Sequence, residues 1–314
     1  MSNYKKLALI MAIVVLGVTL VACNSGAGEK VENPKETPVA NLEELYTVVD
    51  DFDRVVTLGK APERIISLVP SNTEIIYALG LGDKVVGVTT FDDYPEEVLE
   101  VEKVGDFNGI NLERIIELEP DLVVNYGPGN AEENARLEEA GINYVGFMPE
   151  SIDGVIDTIN KLGKLTGKVA EAKELTDSMN AKKDEILSKI AGTQPKRVFY
   201  EIWHEPLMAA GSGSFMDELM TLVGGDNIAK DADGEYPQFD LEQLIERNPE
   251  VYLTSEDMPE KTAESIAARP GYENIDAIIN GNVYVLNANI VSRPGPRIVE
   301  ALELIAKAIH PEKF

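Results

Sequence analysis

The chain has 314 residues, of which 44% are hydrophobic and 6% aromatic, a composition typical of a globular protein and not of a disordered one. Its 55 acidic residues outnumber its 28 basic residues and give a formal net charge of −27, which disfavours nucleic acid as a partner because phosphates are repelled. A single cysteine excludes an internal disulfide and limits any metal site to one thiolate.

The first 22 residues have the pattern of a secretory signal. Two lysines precede an apolar run over residues 7–22, which is short for a membrane span of about 20 residues. The run ends in Leu-Val-Ala-Cys and so resembles a bacterial lipoprotein signal with Cys23 as the lipidated residue. We expect a signal peptide over 1–22, an anchor at Cys23 on the extracytoplasmic face of the cell membrane, and a flexible tether over 23–50. The alternative is an uncleaved anchor whose cysteine is incidental.

Strands and helices alternate from residue 51 to residue 150. Short runs rich in β-branched residues predict strands, and stretches with an apolar helical period predict the helices between them. Ser71 and Glu74 have the spacing of a capping box at the start of the first helix. This alternation is typical of an α/β lobe with a parallel sheet.

A long helical element is predicted over residues 151–192, which lack proline and carry apolar residues at helical spacing. Gly163 and Gly167 are candidate positions for a kink or a break. The α/β pattern resumes over 193–314. We therefore predict two α/β lobes joined by one backbone helix.

An internal repeat relates the two predicted lobes. Residues 111–123 and 240–252 correspond position by position, and each segment has a capping residue, a helix, a proline and a strand. Glu113 and Glu242 therefore occupy equivalent first turns. These acids either stabilise the helix dipole alone or present a matched pair of carboxylates to a partner.

Three stretches of the sequence are very similar to class III substrate-binding proteins of ABC importers, a family that binds cobalamin, ferric siderophores or haem. The stretches are 64–74 (RIISLVPSNTE), 104–113 (VGDFNGINLE) and 120–123 (PDLV). The resemblance spans about residues 53–310 and is greatest to the cobalamin-binding members. It implies two Rossmann-like α/β lobes bridged by a single rigid helix, with the ligand in the cleft between them.

The resemblance also implies partners and site residues. Glu113 and Glu242 match the two acids that dock on the permease, whose ATPase completes the importer, and a monomer is expected. The ligand-binding residues that it implies are Pro70, Ser71, Asn72, Phe91, Phe107, Tyr126, Trp203, His204, Tyr236 and Arg293. Trp203 is the only tryptophan, and we expect it in a loop after a strand.

The expected ligand is cobalamin or a related corrinoid, with a ferric siderophore or haem as the alternatives. The predicted cleft offers mainly Arg293, which is little positive charge for a highly anionic siderophore complex. His204 either ligates cobalt or iron axially or hydrogen-bonds the ligand, and one histidine makes no metal site alone. We expect His310 on the surface. Because the sequence contains no nucleophile elbow, Walker A motif or His-x-x-Glu arrangement, we expect a binding protein without a cofactor and not an enzyme.

Overall fold

The computed structural model describes residues 46–256, 258 and 261–314. The predicted signal, Cys23 and most of the predicted tether lie outside these residues. The strands of the described part are β1 Tyr46–Val49, β2 Val55–Leu58, β3 Ile65–Ser67, β4 Val85–Thr89, β5 Lys103–Asp106, β6 Gly109–Ile110, β7 Leu122–Tyr126, β8 Asn143–Phe147, β9 Lys196–Trp203, β10 Met208–Ala209, β11 Gly225–Asn227, β12 Val251–Ser255 and β13 Val283–Leu286.

Most of the helices alternate with these strands. They are α1 Pro70–Ala78, α2 Leu112–Glu117, α3 Ala131–Glu139, α4 Ile152–Thr166, α5 Val169–Ile190, α6 Phe215–Leu222, α7 Leu241–Arg247, α8 Ala263–Ala267, α9 Asp276–Ile279, α10 Ala288–Val291 and α11 Ile298–Ile309. Short 3₁₀ turns lie at Gly82–Lys84, Glu96–Glu100 and Pro311–Lys313. No helix of the described residues is long and apolar enough to cross a bilayer.

Two mainly parallel sheets form the two lobes. The N-terminal sheet has the order β6-β5-β4-β3-β7-β8, and only β6 runs antiparallel to its neighbour. The C-terminal sheet has the order β10-β9-β12-β13, with β11 also paired to β9 and β10 antiparallel. The predicted α/β fold with two lobes is confirmed, and parallel strands explain why the strand segments read as almost continuous apolar runs.

The internal repeat seen in the sequence is also present in the topology. In the N-terminal lobe α2 leads into β7, which pairs with the first sheet strand β3. In the C-terminal lobe α7 leads into β12, which pairs with β9 in the same parallel manner. The carboxyl ends of these strands form one edge of each sheet, the place where open α/β sheets bind ligands.

The lobes are connected by one long helix, α5, which begins at Val169 and is therefore shorter than the predicted range of 151–192. Gly167 ends α4 in the left-handed conformation, with φ of 74°, and α5 begins two residues later. The α4 helix packs on β1 and so belongs to the N-terminal lobe, whereas α5 also packs on α11. Gly163 does not break α4. It allows close packing of the two helices, because a Cβ there would lie 2.4 Å from the Cβ of Ala172.

The predicted tether extends too far along the chain, because β1 lies inside its range. This strand pairs antiparallel with β2, and the Asp50 carboxylate accepts hydrogen bonds from the backbone N–H groups of Phe52, Arg54 and Gly146. Burial alone raises the pKa of Asp50, but these N–H groups and the Arg54 guanidinium outweigh burial and lower it. The strand β1 has only four residues, and no apolar period marks it in the sequence.

Two smaller predictions are also wrong. The first helix begins at Pro70 with Val69 as its N-cap and no side-chain cap, so Ser71 and Glu74 form no capping box. His310 is completely buried, and its Nε2 lies 2.9 Å from the backbone oxygen of Val223. The end of α11 packs into the C-terminal lobe and encloses this imidazole, which its position near the chain end did not indicate.

Candidate functional site

Aromatic side chains lie at the carboxyl ends of the strands in the N-terminal lobe. Phe91 follows β4 and Phe107 follows β5, and their rings form an edge-to-face pair with centroids 4.4 Å apart. Phe107 is 92% exposed. An aromatic pair that is this open to solvent offers an apolar surface to a partner or ligand.

A cavity of about 340 Å³ lies between the two lobes. Tyr126, the last residue of β7, lines it from the N-terminal lobe, and Tyr236 lines it from the C-terminal lobe. The other lining residues are Pro149, Tyr200, Ile202, Phe215, Met216, Ser255, Ala288, Ser292 and Pro294. None of the described residues that line this cavity is charged.

Both cleft tyrosines are neutral hydrogen-bond donors near neutral pH. Burial raises the pKa of Tyr126, and Tyr236, Glu150 and Glu235 raise it further. Burial also raises the pKa of Tyr236, again with a contribution from Glu235 and Glu150. The cavity therefore combines ring faces with phenol hydroxyls, a surface suited to a broad neutral ligand that carries hydrogen-bonding groups.

Two further cavities continue along the strand ends of the C-terminal lobe. The first, of about 670 Å³, shares Ala288 with the interlobe cavity. The second, of about 560 Å³, shares Lys261 with the first and is lined by Trp203 and His204. We call this second cavity the Trp203 chamber. Its full lining is Trp203, His204, Glu205, Met258, Lys261, Ser265 and Arg269.

The predicted loop placement of Trp203 is wrong, because Trp203 is the last residue of β9. Its indole N–H donates to the backbone oxygen of Glu205 at 2.9 Å, which fixes the ring, and the side chain is 40% exposed. His204 Nε2 lies 3.6 Å from Glu205 Oε1. The structure therefore places both predicted residues at the carboxyl edge of the C-terminal sheet.

Ser71 and Asn72 do not reach the cleft surface. Each is 2% exposed, and the Asn72 amide donates to the backbone oxygen of Asn125 at 3.0 Å. Pro70 is partly exposed as the first residue of α1. Because α1 begins earlier than predicted, Ser71 and Asn72 belong to this helix and are buried. The hydrogen bond from Asn72 to Asn125 connects α1 to β7.

Arg293 was predicted to meet the ligand, but it binds residues of the opposite lobe. Its Nη1 donates to Asp93 Oδ1 at 2.6 Å and to Glu74 Oε1 at 3.3 Å, and its Nη2 donates to the backbone oxygen of Phe91 at 3.2 Å. The Glu74 side chain is only 2% exposed. The charge of Arg293 is therefore already neutralised within the protein.

Two more residues of the C-terminal lobe complete this contact. Arg297 donates to both oxygens of Glu74 at 2.9 and 2.6 Å and lies over the Tyr94 ring, 4.1 Å from its centroid. The Asn289 amide donates to Asp93 at 2.8 Å. We call Glu74, Asp93, Asn289, Arg293 and Arg297 the interlobe clamp. Sequence analysis missed this role.

The lobes also meet at the start of α4. The Glu218 carboxylate on α6 accepts a hydrogen bond from the Ile152 N–H at 3.0 Å. Burial raises the pKa of Glu218, and the Ile152 N–H partly offsets that shift. The Glu218 carboxylate satisfies a backbone N–H at the start of α4. Polar contacts therefore join the lobes at two separate places, the interlobe clamp and this hydrogen bond.

Comparison with known proteins identifies the chain. Residues 65–290 match the family described as periplasmic binding protein. The chain belongs to this family. It is 35% identical, over 99% of both chains, to the uncharacterized ABC transporter substrate-binding lipoprotein YvrC of Bacillus subtilis.

Two solved structures are similar to this chain. The crystal structure of a possible iron-binding (periplasmic solute-binding) protein from Staphylococcus epidermidis has 33% identity and a TM-score of 0.72, covering 80% of this chain and all of that one. The vitamin B12-binding protein BtuF of Vibrio cholerae has 32% identity and a TM-score of 0.69, covering 80% of this chain and 97% of that one. The fold is that of class III periplasmic binding proteins, and the chain is a substrate-binding protein of an ABC importer and not an enzyme.

The two predicted docking acids of this periplasmic binding protein occupy equivalent positions. Glu113 and Glu242 are each the second residue of a short helix, α2 and α7, and both are exposed. Within the described part of the chain, neither carboxylate forms an ion pair. An open groove beside Glu113 is lined mainly by residues of β5, β6, α2 and the start of α3. Both acids are therefore accessible to a partner.

No cluster of three or more His, Cys, Asp or Glu side chains suited to a metal ion occurs among the residues that the structure describes.

Proposed function

We propose that this binding protein captures cobalamin or a related corrinoid between its lobes and delivers it to the permease of an ABC importer. The observation that carries this proposal is the uncharged, aromatic lining of the interlobe cavity. A corrin ring is large, flat and edged with neutral amides, so it needs ring faces and hydrogen-bonding hydroxyls more than cations. Because the interlobe clamp neutralises Arg293, the cleft is poorly suited to a highly anionic siderophore complex.

The alternative ligand is haem or a ferric siderophore. It is favoured by similarity to a possible iron-binding protein and by the side chains available near the cleft. Tyr126, Tyr236 and His204 carry phenol and imidazole groups, which are known axial ligands of haem iron. Tight binding of haem without binding of cobalamin would favour this alternative.

Titration of the purified domain with cyanocobalamin tests the proposal. We expect quenching of the single tryptophan, Trp203, and a dissociation constant at or below the micromolar range by calorimetry. Tyr236→Ala should weaken binding roughly thirtyfold, since truncating an aromatic side chain that the bound ligand covers costs about 2 kcal/mol. Phe314→Ala, at an exposed aromatic near the chain end, is the matched control and should leave affinity unchanged. Absence of heat and quenching with cobalamin would contradict the corrinoid assignment.

The proposal includes a lipid anchor at Cys23, a monomeric receptor and a permease with its ATPase as partners. The anchor is supported by the signal pattern of the sequence and by the lipoprotein relative. We expect Cys23→Ala to release the protein from the membrane fraction of its host, because no lipid would then hold it. Fractionation followed by immunoblotting measures this release, and retention of the variant with the membrane would argue for an uncleaved anchor.

A further inference from the structure

The segment that follows β13 directs some of its side chains to the interlobe cavity and others to the N-terminal lobe. Its side chains that line the cavity are Ala288, Ser292 and Pro294. Asn289 and Arg293 instead donate to the Asp93 carboxylate of the N-terminal lobe, at 2.8 and 2.6 Å. One short segment therefore forms a wall of the cavity and also binds the opposite lobe, so a shift of this segment changes both contacts.

A second segment, residues 91–94 after β4, has the same double role in the N-terminal lobe. The Phe91 ring pairs with the ring of Phe107, whereas the Phe91 backbone oxygen accepts a hydrogen bond from Arg293 at 3.2 Å. The Asp93 carboxylate accepts another hydrogen bond from the same guanidinium. Because Arg293 stands between two residues that line the interlobe cavity, the aromatic pair lies at the rim of that cavity.

The interlobe clamp is balanced by its own charges. Two carboxylates, Glu74 and Asp93, meet two guanidinium groups, Arg293 and Arg297. The loop that carries both arginines passes so close to α1 that a Cβ at Gly295 would lie 3.2 Å from a backbone oxygen of that helix. Glu74 is buried, so solvent screens its ion pairs little. The clamp therefore holds the two segments together without a charged group from a ligand.

We propose that Arg293 is a positioning residue for ligand recognition, which holds the Phe91–Phe107 pair at a fixed distance from the cavity wall without contacting the ligand. This inference rests on the proposed function, because it places the ligand between the lobes. Arg293 acts through Phe91, since its guanidinium binds the backbone that carries the ring. A cleft whose walls are fixed in advance loses less conformational freedom when a ligand binds, and this favours affinity.

A double-mutant cycle on ligand affinity separates positioning from direct contact. Calorimetry of the full-length chain with cyanocobalamin should show about fivefold weaker binding for Arg293→Met, because the Phe91 ring becomes free to move. Phe91→Ala should also weaken binding, and in that background Arg293→Met should have no further effect. Additive effects would show that Arg293 contacts the ligand itself. Arg197→Met is the matched control, because Arg197 also pairs with two carboxylates but lies near the start of β9.

Asp93→Asn gives a second test, in which the two roles predict different results. Asp93 is exposed, so this substitution should leave the fold intact. If Arg293 positions Phe91, the weaker contact should lower affinity about twofold to threefold, since a charge-assisted hydrogen bond is lost. If Arg293 serves the ligand directly, Asp93→Asn releases the guanidinium, and affinity should rise or stay the same. Either of these last two results would overturn the proposal.

Hydrogen exchange distinguishes failure of this inference from failure of the corrinoid assignment. Without any ligand, Arg293→Met should speed exchange at the backbone N–H groups of Thr90 and Asp92, which donate within and beside this segment, and leave β12 unchanged. Unchanged exchange at these two groups would overturn the positioning role, whichever ligand the protein binds. If haem binds and cyanocobalamin does not, the corrinoid assignment fails, and the same cycle with haem decides the role of Arg293.

Discussion

We expect the double substitution Glu113→Ala with Glu242→Ala to abolish ligand uptake and to leave ligand affinity unchanged. The two carboxylates occupy the same position in equivalent helices of the two lobes, and both are exposed. A matched pair of acids fixes both the orientation and the register of a partner with two cationic sites. Each single substitution should reduce uptake less than the pair, because one of the two contacts remains.

Uptake is best measured with the permease and its ATPase in proteoliposomes, and affinity by calorimetry on the same preparations. Glu117→Ala with Glu246→Ala is the matched control, because these acids have the same charge and lie near the ends of the same helices. The control pair should transport normally. Loss of ligand affinity in the Glu113 and Glu242 pair, or transport at the unmodified rate, would show that these acids have another role.

The alternation of apolar strands and periodic helices was sufficient to predict the two lobes. Strand type, helix position and the internal repeat all depend on local patterns, which a sequence displays directly. The start of the connecting helix was harder to predict. Gly167 ends α4 because it adopts the left-handed conformation, whereas Gly163 lies inside the same helix. The sequence alone does not distinguish these two glycines.

The site was predicted unevenly for a physical reason. The resemblance implied Phe91, Phe107 and Tyr126 as ligand-binding residues, and all three lie at or just after strand ends, which are visible in the sequence. Ion pairing between distant segments leaves no local pattern. Arg293 and Glu74 are 219 residues apart, so nothing near Arg293 indicated that its charge is already paired. Sequence reasoning therefore located the edge of the cleft better than it identified the charges available within it.

The same pairing makes Glu74 the residue of the interlobe clamp whose loss should cost most stability. We expect Glu74→Ala to lower the free energy of unfolding by roughly 3 kcal/mol, because removing one partner of a buried ion pair leaves the other charges without compensation. Arg293 and Arg297 both depend on this carboxylate, and their side chains are only 14% and 18% exposed. Arg293 retains Asp93 as a partner, but Arg297 retains no other carboxylate within ion-pair distance among the described residues.

Urea unfolding followed by circular dichroism measures this change. Glu63→Ala is a suitable control, because Glu63 forms an exposed ion pair with Lys84 and such pairs contribute about 0–1 kcal/mol. A double-mutant cycle with Arg297→Met should give a coupling energy of at least about 1 kcal/mol, since the two side chains share two hydrogen bonds. A loss similar to that of Glu63→Ala, or additive effects in the cycle, would mean that the clamp contributes little to stability. The lobes would then be held mainly by the apolar core that runs through α4, α5 and α11.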